Sequence, residues 1–273
     1  MHECLKQTSP SEEKRPRESD KKDTRAHLWL DELTKEILHA YGITAILDVG
    51  AYTGQSITRF RDMGFDGKII SFEPCADAFN KLANKFAGAA NQAMYQCGIS
   101  RAAGRQKMNT FVQGYLNSMA PNGPDFEAYF KDTYQSAGTE YVNMATGHNM
   151  LTELIDLGVL TQDDRIFLKL DCQGTDVDAF QSFIGHQLFR DNFVAMQSEV
   201  YSSAFYSGGP SFADSISAYS YHGFQLAGVY PYLTEWNTLR LITSDVLMVK
   251  SDKIVKSPIG KWKLDGAFSD LKS

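Results

Sequence analysis

Residues Ala45-Ile46-Leu47-Asp48-Val49-Gly50-Ala51-Tyr52-Thr53-Gly54-Gln55 constrain the fold of this chain more than any other stretch. An apolar run ends on an acid, a glycine turn follows, and Gln55–Phe60 then reads as a helix. Continuous apolar character fits a strand covered on both faces, as in parallel sheets flanked by crossover helices. A second strand, Lys68-Ile69-Ile70-Ser71-Phe72, again runs into acid at Glu73. Strand, glycine turn, helix and acid-ended strand form the nucleotide-side half of a doubly wound, mostly parallel α/β sheet.

The remaining pattern extends that half. Leu30, Leu33, Ile37, Leu38 and Tyr41 share a helical face, which predicts a helix over 25–41, stopped by Gly42, that covers the sheet or the mouth of a cofactor site. Phe79, Leu82, Ala83 and Phe86 mark an amphipathic helix. Strands are expected at 94–99, 166–171 and 193–199, the last two ending on Asp171 and Glu199, with a closing pair at 224–229 and 245–249. Residues 100–150 lack a clean period and read as an irregular insertion, which in an α/β domain points to a functional cap. The domain is therefore expected over 44–250, preceded by a polar tail at 1–23 and a cap helix at 24–43, and followed by an extension at 251–273. The tail holds too little apolar surface to offset its ordering entropy; its run Lys14-Arg15-Pro16-Arg17 reads as solvated rather than as a targeting signal.

Composition narrows the partners. With a net charge of −6 the chain is a poor match for a phosphate backbone, so no nucleic acid is expected. No apolar run is long enough to span a bilayer, no membrane partner is expected, and no secretory signal is evident. Four cysteines without paired or metal-type spacing fit a reducing, cytoplasmic setting.

The glycine turn departs from the dinucleotide fingerprint. Its Asp48-x-Gly50-x3-Gly54 spacing puts Tyr52 and Thr53 where a middle glycine would let backbone approach a pyrophosphate. A carboxylate at the strand end repels a diphosphate and suits an ammonium or sulfonium group. This favours S-adenosylmethionine over NAD. Glu73 then has a task, accepting both ribose hydroxyls, while Gly50 and Gly54 permit close backbone approach. The plainer readings, Asp48 as a helix cap and Glu73 as a surface acid, stay open at this point. Gly98 and Ile99, just after the third strand, are placed to flank an adenine by position alone.

Three blocks carry a family resemblance: Asp48-Val49-Gly50-Ala51-x-x-Gly54, Ser71-Phe72-Glu73-Pro74, and Leu168-Lys169-Leu170-Asp171-Cys172-Gln173-Gly174. Together they resemble the FkbM-type methyltransferases over about 44–250, with Asn117-Ser118 similar to that family's Asn-Ser pair and with Ser198-Glu199, Gly223-Phe224 and Asp245-Val246-Leu247 similar to its later blocks. The resemblance implies a seven-strand class I methyltransferase sheet, Rossmann-like, with an antiparallel last strand. It also implies O-methylation, often of a sugar or polyketide hydroxyl, with Asn117 and Ser118 at the cofactor. One position departs: Gln173 stands where the family usually has glutamate, which puts a base or ligand role there in doubt.

Methyl transfer to a hydroxyl needs an aligned acceptor and a base for its proton. Asp171 is the first choice for base or orienting group, shared with the cofactor site. Lys169, two residues earlier on the same strand face, would hold it ionised and so weaken it as a base. Glu199 is the third catalytic candidate. Two carboxylates without a third ligand do not make a metal site, and no metal is expected. Gln173, Tyr201, Tyr206 and His148 are candidate acceptor contacts, the tyrosines through stacking; His148 and His222 are alternative bases. Two rival readings remain: an NAD-dependent oxidoreductase on the same fold, and a non-catalytic scaffold on a decayed one, to which Gln173 lends some footing. The acceptor, a small molecule or glycan, and the oligomeric state are not legible.

Overall fold

The computed structural model describes residues 24–130, 134–235 and 238–257, so the expectations for 1–23 and for most of 251–273 fall outside the described residues. In chain order the elements are α1 (Thr24–Ala40), β1 (Ala45–Val49), α2 (Gln55–Asp62), β2 (Lys68–Phe72), α3 (Ala76–Lys85), β3 (Gln92–Tyr95), β4 (Gly98–Ile99), β5 (Gly104–Phe111), α4 (Pro124–Phe130) and β6 (Ser136–Ala145). They continue with α5 (Gly147–Asp156), β7 (Ile166–Leu170), α6 (Asp176–Ser182), α7 (Gln187–Asp191), β8 (Phe193–Tyr201), α8 (Phe212–Tyr221), β9 (Gln225–Glu235) and β10 (Arg240–Val249).

Seven strands make one sheet in the order β3-β2-β1-β7-β8-β10-β9. The pairs from β3 to β8 are parallel, and β10 runs antiparallel to both of its neighbours. The expected doubly wound sheet with an antiparallel last strand is therefore present. The order changes direction between β1 and β7, the place where open α/β sheets form a crevice beyond their strand ends. All five residues of β1 and all five of β7 are buried, as their apolar runs require.

Alternate residues of these strands feed two cores. Leu47, Val49, Leu168 and Leu170 pack with Phe180, Phe183 and Tyr219 on one face. Ile46, Phe167 and Val194 pack with Leu30, Ile37, Ile57 and Phe60 on the other. Of the two placements expected for α1, the sheet face is the one observed: Gly228 of β9 lies so close beneath α1 that a Cβ there would come 2.7 Å from both Leu33 and Trp29.

The third strand is shorter than expected. The run 94–99 breaks after Tyr95, and Gly98–Ile99 joins a second sheet of order β4-β6-β5. The expected irregular segment at 100–150 holds this sheet together with α4 and α5. Its strands escaped notice because β5 and β6 are largely solvent-facing, with only Met108, Phe111, Val142 and Met144 buried along them. A turn at Gly185 (φ 95°) separates α6 from α7.

The insertion is roofed onto the main sheet by aromatic packing. The Phe126 ring of α4 lies 5.4 Å from Phe111, 5.1 Å from Phe205 and 5.9 Å from Tyr206, centroid to centroid. Beside it Gly123 donates its amide to Phe205 O at 2.7 Å, and a Cβ at Gly123 would fall 1.9 Å from the Ala204 carbonyl oxygen. Phe126→Ala removes the ring at the centre of this cluster and is expected to cost about 3–4 kcal/mol in denaturant unfolding; a loss below about 1 kcal/mol would show that the roof is not anchored there.

Candidate active site

A polar row crosses the sheet on the α1 side. Parallel register sets Asp48 of β1 beside Ser71 of β2 and beside Lys169 of β7, and sets Lys169 beside Gln197 of β8. All four are buried. The Lys169 ammonium lies 3.2 Å from Asp48 Oδ1 and 3.4 Å from Asp171 Oδ2, and it donates to Gly50 O at 3.3 Å. Burial opposes its charge, but the two aspartates outweigh burial and hold Lys169 protonated above the ordinary lysine range. Burial pushes Asp48 up against the pull of Lys169. Asp48 is 0% exposed, so its charge is met by Lys169 rather than presented to a ligand. The sequence reading that Asp48 directly faces a sulfonium or ammonium is corrected accordingly. The reading that it caps the next helix also fails, since Gly54 is the residue at the head of α2.

The glycine turn is held from both sides. The amides of Gly50 and Ala51 both donate to Phe72 O, at 3.0 and 3.1 Å. Gly50 has φ 80°, and a Cβ there would fall 1.9 Å from the carbonyl oxygen of Asp171, so only glycine fits. Tyr52 follows with φ 48°, a left-handed conformation that costs a non-glycine residue about 1 kcal/mol or more. Glu73 stabilises it, accepting from Tyr52 N at 2.8 Å through Oε2 and from Cys75 N at 2.9 Å through Oε1. Burial pushes the Glu73 carboxyl up, and these two amides pull it back. Each oxygen keeps a second lone-pair site, so ribose hydroxyls remain compatible with this arrangement. Thr53 bonds only its neighbour Gln55, at 3.2 Å, and Gly54 is closed in by Phe86 and Leu82.

Beyond β7 and β8 the acids are bridged. Gln173 Nε2 donates to Asp171 Oδ1 at 2.8 Å and to Glu199 Oε2 at 3.2 Å, while its Oε1 accepts from Tyr206 OH at 2.8 Å. Tyr201 OH donates to the same Glu199 oxygen. Burial, and next the charge of Asp171, push Glu199 well above the ordinary glutamate range. The same two causes raise Asp176 to about 7 and Asp245 to about 6.

Several expected site residues lie elsewhere or act differently. Tyr201 and Tyr206 are buried in the aromatic roof and reach the acids through their hydroxyls, so they are not open stacking platforms. His148 packs against His186, with centroids 5.1 Å apart, away from the acids, and His222 lies against Phe180 and Phe189. Ile99 is a core residue at 2% exposure and Gly98 sits under Met144, so neither presents a side chain to an adenine. Asn117 and Ser118 spend their polar atoms within the protein: Asn117 bonds Phe111 N and Cys75 Sγ, and Ser118 bonds the Gln173 carbonyl and Ala120 N. Sequence reasoning missed Gln197 and Asp176. Gln197 was detectable as the fifth residue of a buried strand; Asp176 carries no sequence signal of burial, and Asp245 was noted only as the start of the closing strand and of a family block.

The chain matches the model of the FkbM methyltransferase domain over residues 48–226. The chain belongs to the FkbM methyltransferase family. It is an S-adenosylmethionine-dependent methyltransferase, and S-adenosylmethionine is its cofactor. No curated protein matches it in sequence. Among solved structures it is similar to an rRNA methylase from Streptococcus thermophilus, with 11% identity over 84% of this chain and 98% of that one and a TM-score of 0.44. It is also similar to a putative S-adenosylmethionine-dependent methyltransferase from Listeria monocytogenes, with 8% identity over 81% and 99% of the two chains and a TM-score of 0.43. A third is the precorrin-6y C5,15-methyltransferase of Geobacter metallireducens GS-15, with 10% identity over 82% and 88% and a TM-score of 0.42.

The FkbM site fits its cofactor on chemical grounds. Asp48 and Asp171 both meet the buried Lys169 ammonium, and Glu199 lies beside Asp171 with no cation within ion-pair distance among the described residues. Such a site has excess negative charge for a sulfonium and none for a diphosphate.

Two predictions follow from this geometry. Gly50→Ala should weaken S-adenosylhomocysteine binding by at least about tenfold in calorimetry, because the new methyl displaces the Asp171 carbonyl; unchanged affinity would remove the turn from the site. Asp176, raised to about 7, binds its proton more tightly folded than unfolded. Its penalty is absent below the unfolded value, grows as pH climbs toward the folded one, and is complete above it. Asp176→Asn should therefore gain on the native protein in melting temperature as pH rises from about 5 to about 8, by about 4 °C or more. A gap independent of pH would refute the buried charge.

Proposed function

We propose that this FkbM methyltransferase moves a methyl group to a hydroxyl oxygen of a small molecule or glycan, with Glu199 as general base and Asp171 as the group that orients the acceptor. The observation that carries this division is the pairing of charge. Asp171 lies against the Lys169 ammonium and accepts from Gln173. That pairing gives Asp171 a cation and an amide donor of its own and suits it to orienting a hydroxyl by a hydrogen bond. Glu199 has no cation within ion-pair distance among the described residues, and burial beside Asp171 raises its proton affinity toward the range a base needs. Tyr201 and Gln173 both donate to Oε2 of Glu199, which leaves Oε1 for an acceptor hydroxyl. Of the two roles the sequence left open for Asp171, base or orienting group, this reading takes the second and gives the first to Glu199.

Bound S-adenosylmethionine supplies an electrophilic methyl on a positively charged sulfur. The residues that would hold it are Gly50, Tyr52, Gly54 and Glu73 at the turn and Asp171 beside it. Glu199 would take the proton of the acceptor hydroxyl, Asp171 would accept a hydrogen bond that fixes the acceptor, and Lys169 holds Asp171 and the Gly50 carbonyl in register. Placement of the acceptor oxygen accounts for much of the rate. The Gln173 amide joins Asp171 and Glu199 through one shared donor, which supports a working site rather than a decayed one. No helix among the described residues is long and apolar enough to cross a membrane. The free thiols of Cys75, Cys97 and Cys172 support a reducing, cytoplasmic location.

Glu199→Gln should lower transfer of labelled methyl to any acceptor found in a panel of glycosides, polyols and phenols by about 100-fold or more. Its affinity for S-adenosylhomocysteine should stay within about threefold of the native value. Native turnover should rise with pH as Glu199 loses its proton. Full turnover in Glu199→Gln would remove the base assignment, and transfer only to amines or carboxylates would remove O-methylation.

A further inference from the structure

We propose that Ser118 is a positioning residue that sets how Asp171 and Glu199 share their hydrogen bonds, acting through the backbone of Gln173. The proposal rests on the roles given above to the two acids, and it deepens them by identifying what arranges the pair.

The Gln173 amide has one workable orientation. Both Nε2 protons are used, on Asp171 Oδ1 at 2.8 Å and Glu199 Oε2 at 3.2 Å, and Oε1 accepts from Tyr206 OH at 2.8 Å. Inverting the amide would set its oxygen against two carboxylate oxygens. To reach them the residue adopts φ 49°, a left-handed conformation that side chains disfavour, followed by Gly174 at φ 92° with Tyr206 packed where a Cβ would stand. Such a conformation persists only where surrounding contacts hold it. The contact is Ser118, whose Oγ donates to the Gln173 carbonyl at 2.5 Å and accepts from Ala120 N at 3.0 Å.

Ser118 is itself fixed. It is 1% exposed, and its backbone pairs with Asn109 in both directions, at 2.8 and 3.1 Å. Its neighbour Asn117 turns the other way, donating to Cys75 Sγ at 3.3 Å, and the amide of Cys75 donates to Glu73. Two adjacent residues of the insertion thus tie the acceptor-side acids and the cofactor-side acid to one segment of chain. Without the Ser118 hydroxyl, Gln173 relaxes toward the right-handed region and its amide leaves the acids. The carboxylates then lose their shared donor, repel each other and bind a proton more tightly.

The test reads the Gln173 side-chain amide by nuclear magnetic resonance in protein labelled with nitrogen-15 glutamine, across a pH titration, with Glu199→Gln identifying the titration that belongs to the acid pair. Ser118→Ala should raise the apparent midpoint by about one pH unit, Ser118→Thr should restore it by returning the hydroxyl, and Tyr206→Phe should raise it by a smaller amount. An unchanged midpoint in Ser118→Ala with folded protein overturns the proposal, as does a midpoint that Ser118→Thr fails to restore. If Ser118→Ala does not fold, Tyr206→Phe decides: a rise supports the arrangement and no movement overturns it. The signal needs neither acceptor nor turnover, so a failure of Glu199 as base in the transfer assay would leave this result standing.

Discussion

The ammonium of Lys169 stands where β1, β7 and the glycine turn meet, and the site depends on it. It joins buried Asp48, half-buried Asp171 and the Gly50 carbonyl around one point. A lone buried charge would be costly; here each charge has a partner, and breaking such a pair typically costs about 3–5 kcal/mol. The arrangement fixes the height of the turn relative to the end of β7, which sets where backbone and acid face a ligand.

Negative charge above this point is left in excess. Asp171 shares the Lys169 ammonium with Asp48, while Glu199, Asp176 and Asp245 are each raised in proton affinity, first by burial and next by the charge of Asp171. Asp176 Oδ2 has no hydrogen-bond partner among the described residues. A fold tolerates such strain where a ligand carrying positive charge relieves it, and perturbed acids of this kind gather at functional sites. The cost appears as pH-dependent stability; the benefit is a carboxylate, Glu199, whose proton affinity is raised by burial.

The insertion completes what the sheet begins. Its aromatic roof around Phe126 covers Tyr201 and Tyr206, and its Asn117-Ser118 segment reaches the blocks that follow β2 and β7. The tyrosines near the acids act as hydrogen-bond donors held by packing.

Much of the main sheet was legible from the amino-acid sequence. Runs such as Ile166–Leu170 are apolar throughout because both faces are covered, and the strand ends announce themselves by a change to acid and glycine. Gly50, Glu73, Asp171 and Glu199 were readable as residues at the strand ends for the same reason. The second sheet was not, because strands with one solvated face and few buried residues leave little periodic signal. Only the tertiary structure decided which charges pair. Asp48 and Lys169 lie far apart in the chain, and parallel register alone makes them neighbours, so Asp48 serves the protein's own lysine. The same packing gave Gln173 its two acids and Ser118 its carbonyl, since hydrogen bonds between distant segments depend on backbone placement that local sequence does not encode.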